Sequence, residues 1–443
     1  MKVIILYDDY DKLPKIKYVF DFIFTLPICE KGVQLEYKHI ENYKPNNTDY
    51  KLINYSKKNI ENALNCKISY WFIDKPEFIS KLYSIKYSFN DDFLFGIGLE
   101  QKNMPFIKDN IINLDIVQTF FFHLSRMEEY YAREEQLDFH RRMKSNEQFL
   151  VKNNIYRFPV LDKISFAFLS VLGLENTIET RKIMSHDIDV IQKFPNFYRF
   201  VRGVSRILFK KKKHKGSLLK YIKWYLKVKF GDKDPYNTFT WLFSKKNMHK
   251  KYVFFMSGGT TNYDNLYKIN NPKIKNYIGF AKENDYEIGL HPSYSAYTNK
   301  NQFKKEKNIL EKVCQCKIQS TRQHILHFDL KKTPQLLEDC NIKIESTLGY
   351  QDLIGFRCGT GFKYKLWNFK NNQPYNLTEL PLIIMDGCLL IEADYDVNKA
   401  RNIYFDFYAK NKYNTQITFN FHNSIFDPVL LDDMELKKLF FEL

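Results

Sequence analysis

From Arg181 onward the chain repeats one pattern: a short apolar run, a polar residue that closes it, then a stretch of helical spacing. The apolar runs are Lys182–Ser185 before His186, Tyr252–Met256, Glu287–Leu290, Gln323–Leu326 and Ile417–Phe421. Lys273–Glu283, Gln302–Cys314 and Thr333–Cys340 supply helices between them. Alternation of this kind, kept up over about 260 residues, restricts the fold to a parallel α/β sheet, open or closed into a barrel. In such folds the C-terminal ends of the strands share one face, so the polar residues closing each run are where chemistry is expected.

Residues 1–175 read as a separate α/β unit. Val3–Tyr7 and Tyr70–Ile73 have the pattern of buried strands, and Asp115–Arg133 carries Ile116, Phe120, Leu124 and Met127 at helical spacing. No catalytic constellation stands out there. A length of 443 residues suits two domains, and 44% hydrophobic content supplies two cores. The expected boundaries are 1–175 and 181–443.

The formal net charge of +17 is concentrated rather than spread. Residues 196–233 contain thirteen Lys or Arg and one acid, Asp232, a balance of 13 − 1 = +12 that leaves about +5 for the rest. Within this insert Leu218–Lys229 interleaves Leu219, Ile222, Trp224 and Leu226 with Lys220, Lys223, Lys227 and Lys229. That composition fits a helix lying on an anionic membrane; a solvated surface hairpin is the plainer alternative. No nucleic-acid-binding motif accompanies it, and nucleic acid is not expected as a partner. The apolar run at the N-terminus is too short for a secretory signal, and no stretch approaches the length of a spanning helix. Seven scattered cysteines without a Cys-x-x-Cys suit reduced thiols. A cytoplasmic location is expected, peripheral at the inner membrane face if the insert binds lipid.

Asp187 and Asp189 stand two apart, so a continuing strand projects both from one face. Two carboxylates held close need a cation between them or a raised pKa. One can then hold a metal while the other acts as general base, although a solvated acidic strand end is the bland alternative. His291 closes the Glu287–Leu290 run and suits a neutral imidazole ligand as well as a core histidine. Thr321–His327, read as a strand, puts Arg322 and His324 on one face and His327 on the other. Gly355–Gly361 brackets a single cation, Arg357, Pro381–Met385 ends on Asp386, and Phe419–Phe421 ends on His422. Each cluster is ordinary alone, but one barrel mouth would unite them.

In order, SHDID (185–189), EIGLHPSY (287–294), TRQH (321–324), STLGY with GFRCGT (346–360), PLIIMDG (381–387) and FHN (421–423) resemble the NodB-like polysaccharide deacetylases, carbohydrate esterase family four. The likeness is to a branch with an additional N-terminal domain, often found in surface-glycan gene clusters. It spans about 181–430 and, more loosely, Phe120–Arg157. The resemblance implies a distorted β/α barrel holding one divalent metal, most often Zn2+, that removes an N-acetyl group from an amino sugar of a surface polysaccharide or its precursor. It implies Asp187 as general base, Asp189 and His291 as metal ligands, Arg357 as the cation orienting the base, Asp386 as the acid of the fourth motif and His422 as general acid. Arg322, Tyr294 and Asn423 are expected to contact substrate. The family's second metal histidine falls at Ser295, a poor zinc ligand, and His324 is expected to complete the set. An amidase of the same fold acting on a non-sugar amide, or a catalytically silent glycan-binding barrel, are the alternatives.

Overall fold

The computed structural model describes residues 1–29, 32–45, 49–68, 84–89, 92–97, 104–174, 176–209, 218–259, 261–264 and 267–443. The chain forms two compact units. The first contains Met1–Thr180, Phe356–Glu379 and Tyr413–Thr415; the second contains Arg181–Gly355, Leu380–Lys412 and Gln416–Leu443. Two segments that lie within the expected 181–443 domain, Phe356–Glu379 and Tyr413–Thr415, thus pack with the first unit.

Packing explains why the first unit takes them. Tyr364–Asn368 and Gln373–Glu379 form an antiparallel hairpin. Its Trp367 ring lies 5.0 Å from Tyr18 and 5.1 Å from Phe121, and the Tyr18 hydroxyl donates to the Lys365 carbonyl at 2.6 Å. Asp162, buried, accepts from the Thr360 hydroxyl, from Gly361 N–H at 3.0 Å and from the Thr415 hydroxyl at 2.5 Å. The unit's main sheet has the order Gln34–His39, Lys2–Tyr7, Lys51–Tyr55, Leu64–Cys66, Ile111–Ile112, Ile107–Lys108, parallel except at the last pair. Val3–Tyr7 thus lies in a central strand, while the Tyr70–Ile73 strand pattern lies outside the described residues.

The helix expected over 115–133 breaks in two, Ile116–Leu124 and Met127–Tyr130. Asp115 caps the first piece by accepting from Gln118 N–H. At the break Arg126 adopts a left-handed backbone, φ +53°, which turns its guanidinium inward onto Glu128 and Glu129. Periodicity alone could not show that, since the apolar spacing continues across the break.

In the second unit seven strands run parallel in the order Ile344–Glu345, Ser320–Thr321, Glu287–Leu290, Lys250–Phe255, Arg181–Ile188, Gln416–Asn420, Ile384–Met385. Helices Pro272–Glu283, Lys300–Cys314 and Thr333–Asp339 provide crossovers where the sequence places them. The central strands are buried on both faces, as crossovers in such sheets require. No strand ladder closes this ring among the described residues, so the expected barrel is an open sheet. Irregular backbone spans the gap: Leu380 N–H donates to Glu345 O at 2.7 Å, and Ile383 N–H donates to Thr418 O at 3.1 Å. Pro381 stands between them without an N–H to give, which prevents a continuous ladder. Among the described residues no helix is long and apolar enough to cross a membrane.

Candidate active site

The strand ends of the second unit bring three groups together. Asp189 directly follows the Arg181–Ile188 strand, His291 directly follows Glu287–Leu290, and His324 lies just beyond Ser320–Thr321. Each offers one ligand atom, and these atoms lie within 4.8 Å of one another. His291 Nε2 is 3.3 Å from Asp189 Oδ1. The other ring nitrogen of His291 donates to the Arg322 carbonyl at 2.6 Å, which fixes the tautomer and leaves Nε2 as a lone-pair donor facing Asp189. Asp189 Oδ1 is buried and makes no hydrogen bond among the described residues. A buried polar atom left unbonded is costly, and such atoms are rare unless something else satisfies them. One carboxylate and two imidazoles form a donor set suited to zinc or a similar divalent ion. The residues present fit a metal.

The local backbone explains how His324 reaches this cluster. The Gln323–Leu326 run, expected as a strand, instead begins a tight turn over His324–Leu326, with Ile325 at φ +58° and Leu326 at φ +54°. A left-handed β-branched residue is a conformation that surrounding structure must impose. Glu345 and Thr347 help impose it: Gln323 N–H donates to the Thr347 hydroxyl at 2.9 Å, and the Gln323 amide donates to Glu345 at 3.3 Å. The turn directs His324 toward Asp189 and sends His327 to stack on Tyr297, centroids 3.6 Å apart. Ser295, at the family's usual histidine position, immediately precedes the short Ala296–Thr298 turn and is not in the cluster.

Beside the cluster, Asp187 is buried and held at both oxygens. Arg322 donates to Oδ1 at 3.0 Å and Asn420 to Oδ2 at 2.8 Å. Burial would raise the pKa of Asp187, but Arg322, His291 and His422 outweigh it and hold the carboxyl below its ordinary value. Arg322 is fully buried, and its remaining donors go to Ser185, to the Ser346 carbonyl and to the Ser346 hydroxyl, at 2.8, 2.8 and 2.9 Å. The His422 Nε2 atom lies 3.9 Å from Asp187 and 3.7 Å from Asp189. Its Nδ1 is 2.9 Å from Asp386, which also accepts from His422 N–H at 2.7 Å. Burial would push this imidazole down, yet Asp386, Asp189 and Asp187 hold it up at about 10, so it carries a proton at neutral pH.

Three expectations are met differently. The arginine bound to Asp187 is Arg322; Arg357 lies in the first unit, where Glu129 receives it at 2.9 and 2.6 Å. Arg322 directly follows a strand whose register pairs Thr321 with Leu290, and it is fully buried with its donors on Asp187, Ser185 and Ser346. Asn423 is equally buried, both amide donations going to the carbonyls of Val190 and Tyr236 at 2.8 and 2.9 Å, so it fastens loops. Tyr294 alone of the three expected substrate contacts is partly exposed, its ring 4.7 Å from His327.

Sequence reasoning missed Asp264 and Glu306. Asp264 Oδ1 is 3.5 Å from His324 Nδ1 and accepts from Tyr294 N–H at 2.6 Å. Glu306, fully buried, accepts from Ser293 N–H at 2.7 Å and from the Ser293 hydroxyl, bracing the loop after His291. Neither closes an apolar run, so the rule that found the others passes over them.

A family model described as a family of unknown function (DUF7033) matches residues 4–176. No curated protein matches the chain. A Mycobacterium smegmatis structure assigned as a polysaccharide deacetylase is similar at TM-score 0.35 and 12% identity, covering 60% of this chain and 84% of that one. The polysaccharide deacetylase Bc1974 from Bacillus cereus is similar at TM-score 0.27 and 10% identity, covering 59% and 86%. PuuE allantoinase is similar at TM-score 0.34 and 11% identity, covering 58% and 83%. Likenesses of this size leave the chemistry to the side chains themselves.

Proposed function

We propose that this chain is a metal-dependent amide hydrolase, and that its substrate is an N-acetylated amino sugar of a surface polysaccharide or its precursor. The observation that carries the hydrolase reading is the meeting of Asp189, His291 and His324 beside an ionised carboxylate and a protonated imidazole. The ordered motifs from SHDID to FHN support the sugar substrate.

A divalent cation held by Asp189, His291 and His324 would supply the polarisation of a carbonyl and the acidification of a water. Asp187 stands ready as the base. Arg322 and Asn420 keep it oriented and Arg322 keeps it ionised, so it can take the proton of an attacking water. His422 faces the same space through Nε2 and carries the proton that a departing amine needs. Asp386, bonded to Nδ1, fixes the ring and stabilises its charge. Products are acetate and a free amine. Acetate release from a panel of N-acetyl amino sugars, with metal restored and with metal stripped, tests this reading. Release that requires metal and is lost in Asp187→Asn is expected; sugar binding with neither metal uptake nor acetate would leave a silent glycan-binding fold instead.

A further inference from the structure

Away from the metal cluster, the feature with no role so far is the helical pair Phe197–Phe209 and Leu218–Lys229. Its inner face is accounted for. Phe200 stacks on Tyr225 with centroids 3.9 Å apart and on Tyr221 at 5.7 Å, over a seat of Phe194, Tyr221 and Val429.

The outer face is of another kind. On the second helix and the residue just past it, Leu219, Leu226 and Phe230 stand exposed, Leu219 at 80% and Phe230 at 83%. Spacings of seven and four residues put them on one stripe, and Lys220, Lys223 and Lys227 run along its edge, all exposed. The first helix adds exposed Phe197 and Tyr198, with Arg202 and Arg206 exposed on the same helix. Isolated exposed leucines need no explanation, but a line of large apolar side chains beside a row of cations does. Its complement is anionic outside and apolar just beneath, the profile of an anionic phospholipid bilayer. Nucleic acid matches the cations and could stack on the rings, but it offers leucines no apolar layer.

The pair is also joined to the site residues by short stretches of chain. Phe197 follows Asp189 by eight residues, and Val429, part of the seat, follows His422 by seven.

We propose that the outer face of this helical pair docks on an anionic bilayer, with Leu219, Leu226 and Phe230 in the headgroup layer and the lysines on lipid phosphates. The full chain is floated with vesicles of phosphatidylcholine, with and without phosphatidylglycerol. Binding to the anionic vesicles, weakened by added salt, is expected. Replacing Lys220, Lys223 and Lys227 together with Gln lowers it on the order of a hundredfold, roughly fivefold per cation. Leu219→Ser with Phe230→Ser lowers it at least about tenfold, and Phe197→Ser with Tyr198→Ser on the other helix lowers it too. Unchanged circular-dichroism melting confirms that each variant is folded, and the second apolar pair serves if the first does not fold. The proposal is overturned if anionic vesicles bind no better than neutral ones, if folded apolar variants bind as the parent does, or if a single-stranded oligonucleotide binds more tightly and strips the protein from vesicles.

Discussion

Each unit buries arginines against carboxylates, and the two arrangements differ in one respect. In the first unit Arg126 and Arg357 face Glu128 and Glu129, two cations and two anions, with Arg126, Arg357 and Glu128 buried. Glu129 accepts from both guanidiniums, and Glu128 accepts from Arg126 at 3.1 Å and from Phe149 N–H at 2.8 Å. In the second unit Arg322 is the fixed cation bonded to Asp187, while the ion-pair partners of Asp189 and Asp386 among the described residues are imidazoles, and one oxygen of Asp189 makes no hydrogen bond among them. A saturated network of buried charges holds a fold, whereas one left short of a cation has room for a ligand. The difference lies in the balance of charge and bonds: guanidiniums meet the carboxylates of the first network, whereas imidazoles meet most of those in the second.

The largest expected effect falls on the unsaturated side. Asp189→Ala should abolish the single equivalent of tightly bound metal, read by elemental analysis, and cut acetate release by on the order of a thousandfold or more. On the saturated side, Glu129→Gln leaves two buried guanidiniums without their shared anion and should cost about 3–5 kcal/mol in urea unfolding. Retained stability in that variant would break the comparison.

Acid should find the same weakness. Burial would raise the Glu129 pKa, but Arg357 and Arg126 depress it from 4.5 to about 2. A depressed carboxylate stabilises the fold above its unfolded pKa and loses that contribution as pH falls through the folded one. Stability should therefore decline between pH 4.5 and about 2, by about 3 kcal/mol, and Glu129→Gln should flatten this part of the profile.

The two arginines separate next. Arg322→Lys keeps a charge but loses the fork that serves Asp187, Ser185 and Ser346 together. It should lower kcat by about a hundredfold with metal content unchanged and move the acid limb of the pH–rate profile upward, because Asp187 is no longer held down. Arg357→Lys should lower the melting temperature and leave that limb in place. The smallest effect is expected for Asp264→Asn, which removes the anion facing His324 Nδ1 and should weaken metal affinity by about 10–100-fold in calorimetric titration.

Much of the second unit was legible because parallel strands are apolar on both faces and end on polar residues at one edge. That rule led to Asp187, Asp189, His291, Asp386 and His422. It failed where backbone rather than pattern decides. The left-handed Ile325 and Leu326 place His324 by a turn that alternation cannot express. Arg357 was expected to orient the base and Arg322 to contact substrate, and spacing alone does not show that Arg322, just past the pairing of Thr321 with Leu290, bonds Asp187. Pro381 was visible in the sequence, but its effect on closing the ring depends on which carbonyls lie opposite. The break at Arg126 was hidden because apolar spacing runs through it.

The bonds to Asp162 set an order on the birth of the protein. Its partners Thr360 and Thr415 lie 198 and 253 residues further along the chain. At about 5–20 residues per second, a ribosome takes roughly 10 to 50 s to deliver the last of them. Until then the first unit holds an incompletely met carboxylate at its centre, one whose pKa burial pushes up to about 7 even with its hydroxyl and N–H donors in place. A nascent chain halted before Thr415 should thus be open to protease in a region that the finished molecule protects, and shortening the chain at residue 180 would remove part of the very unit it was meant to isolate.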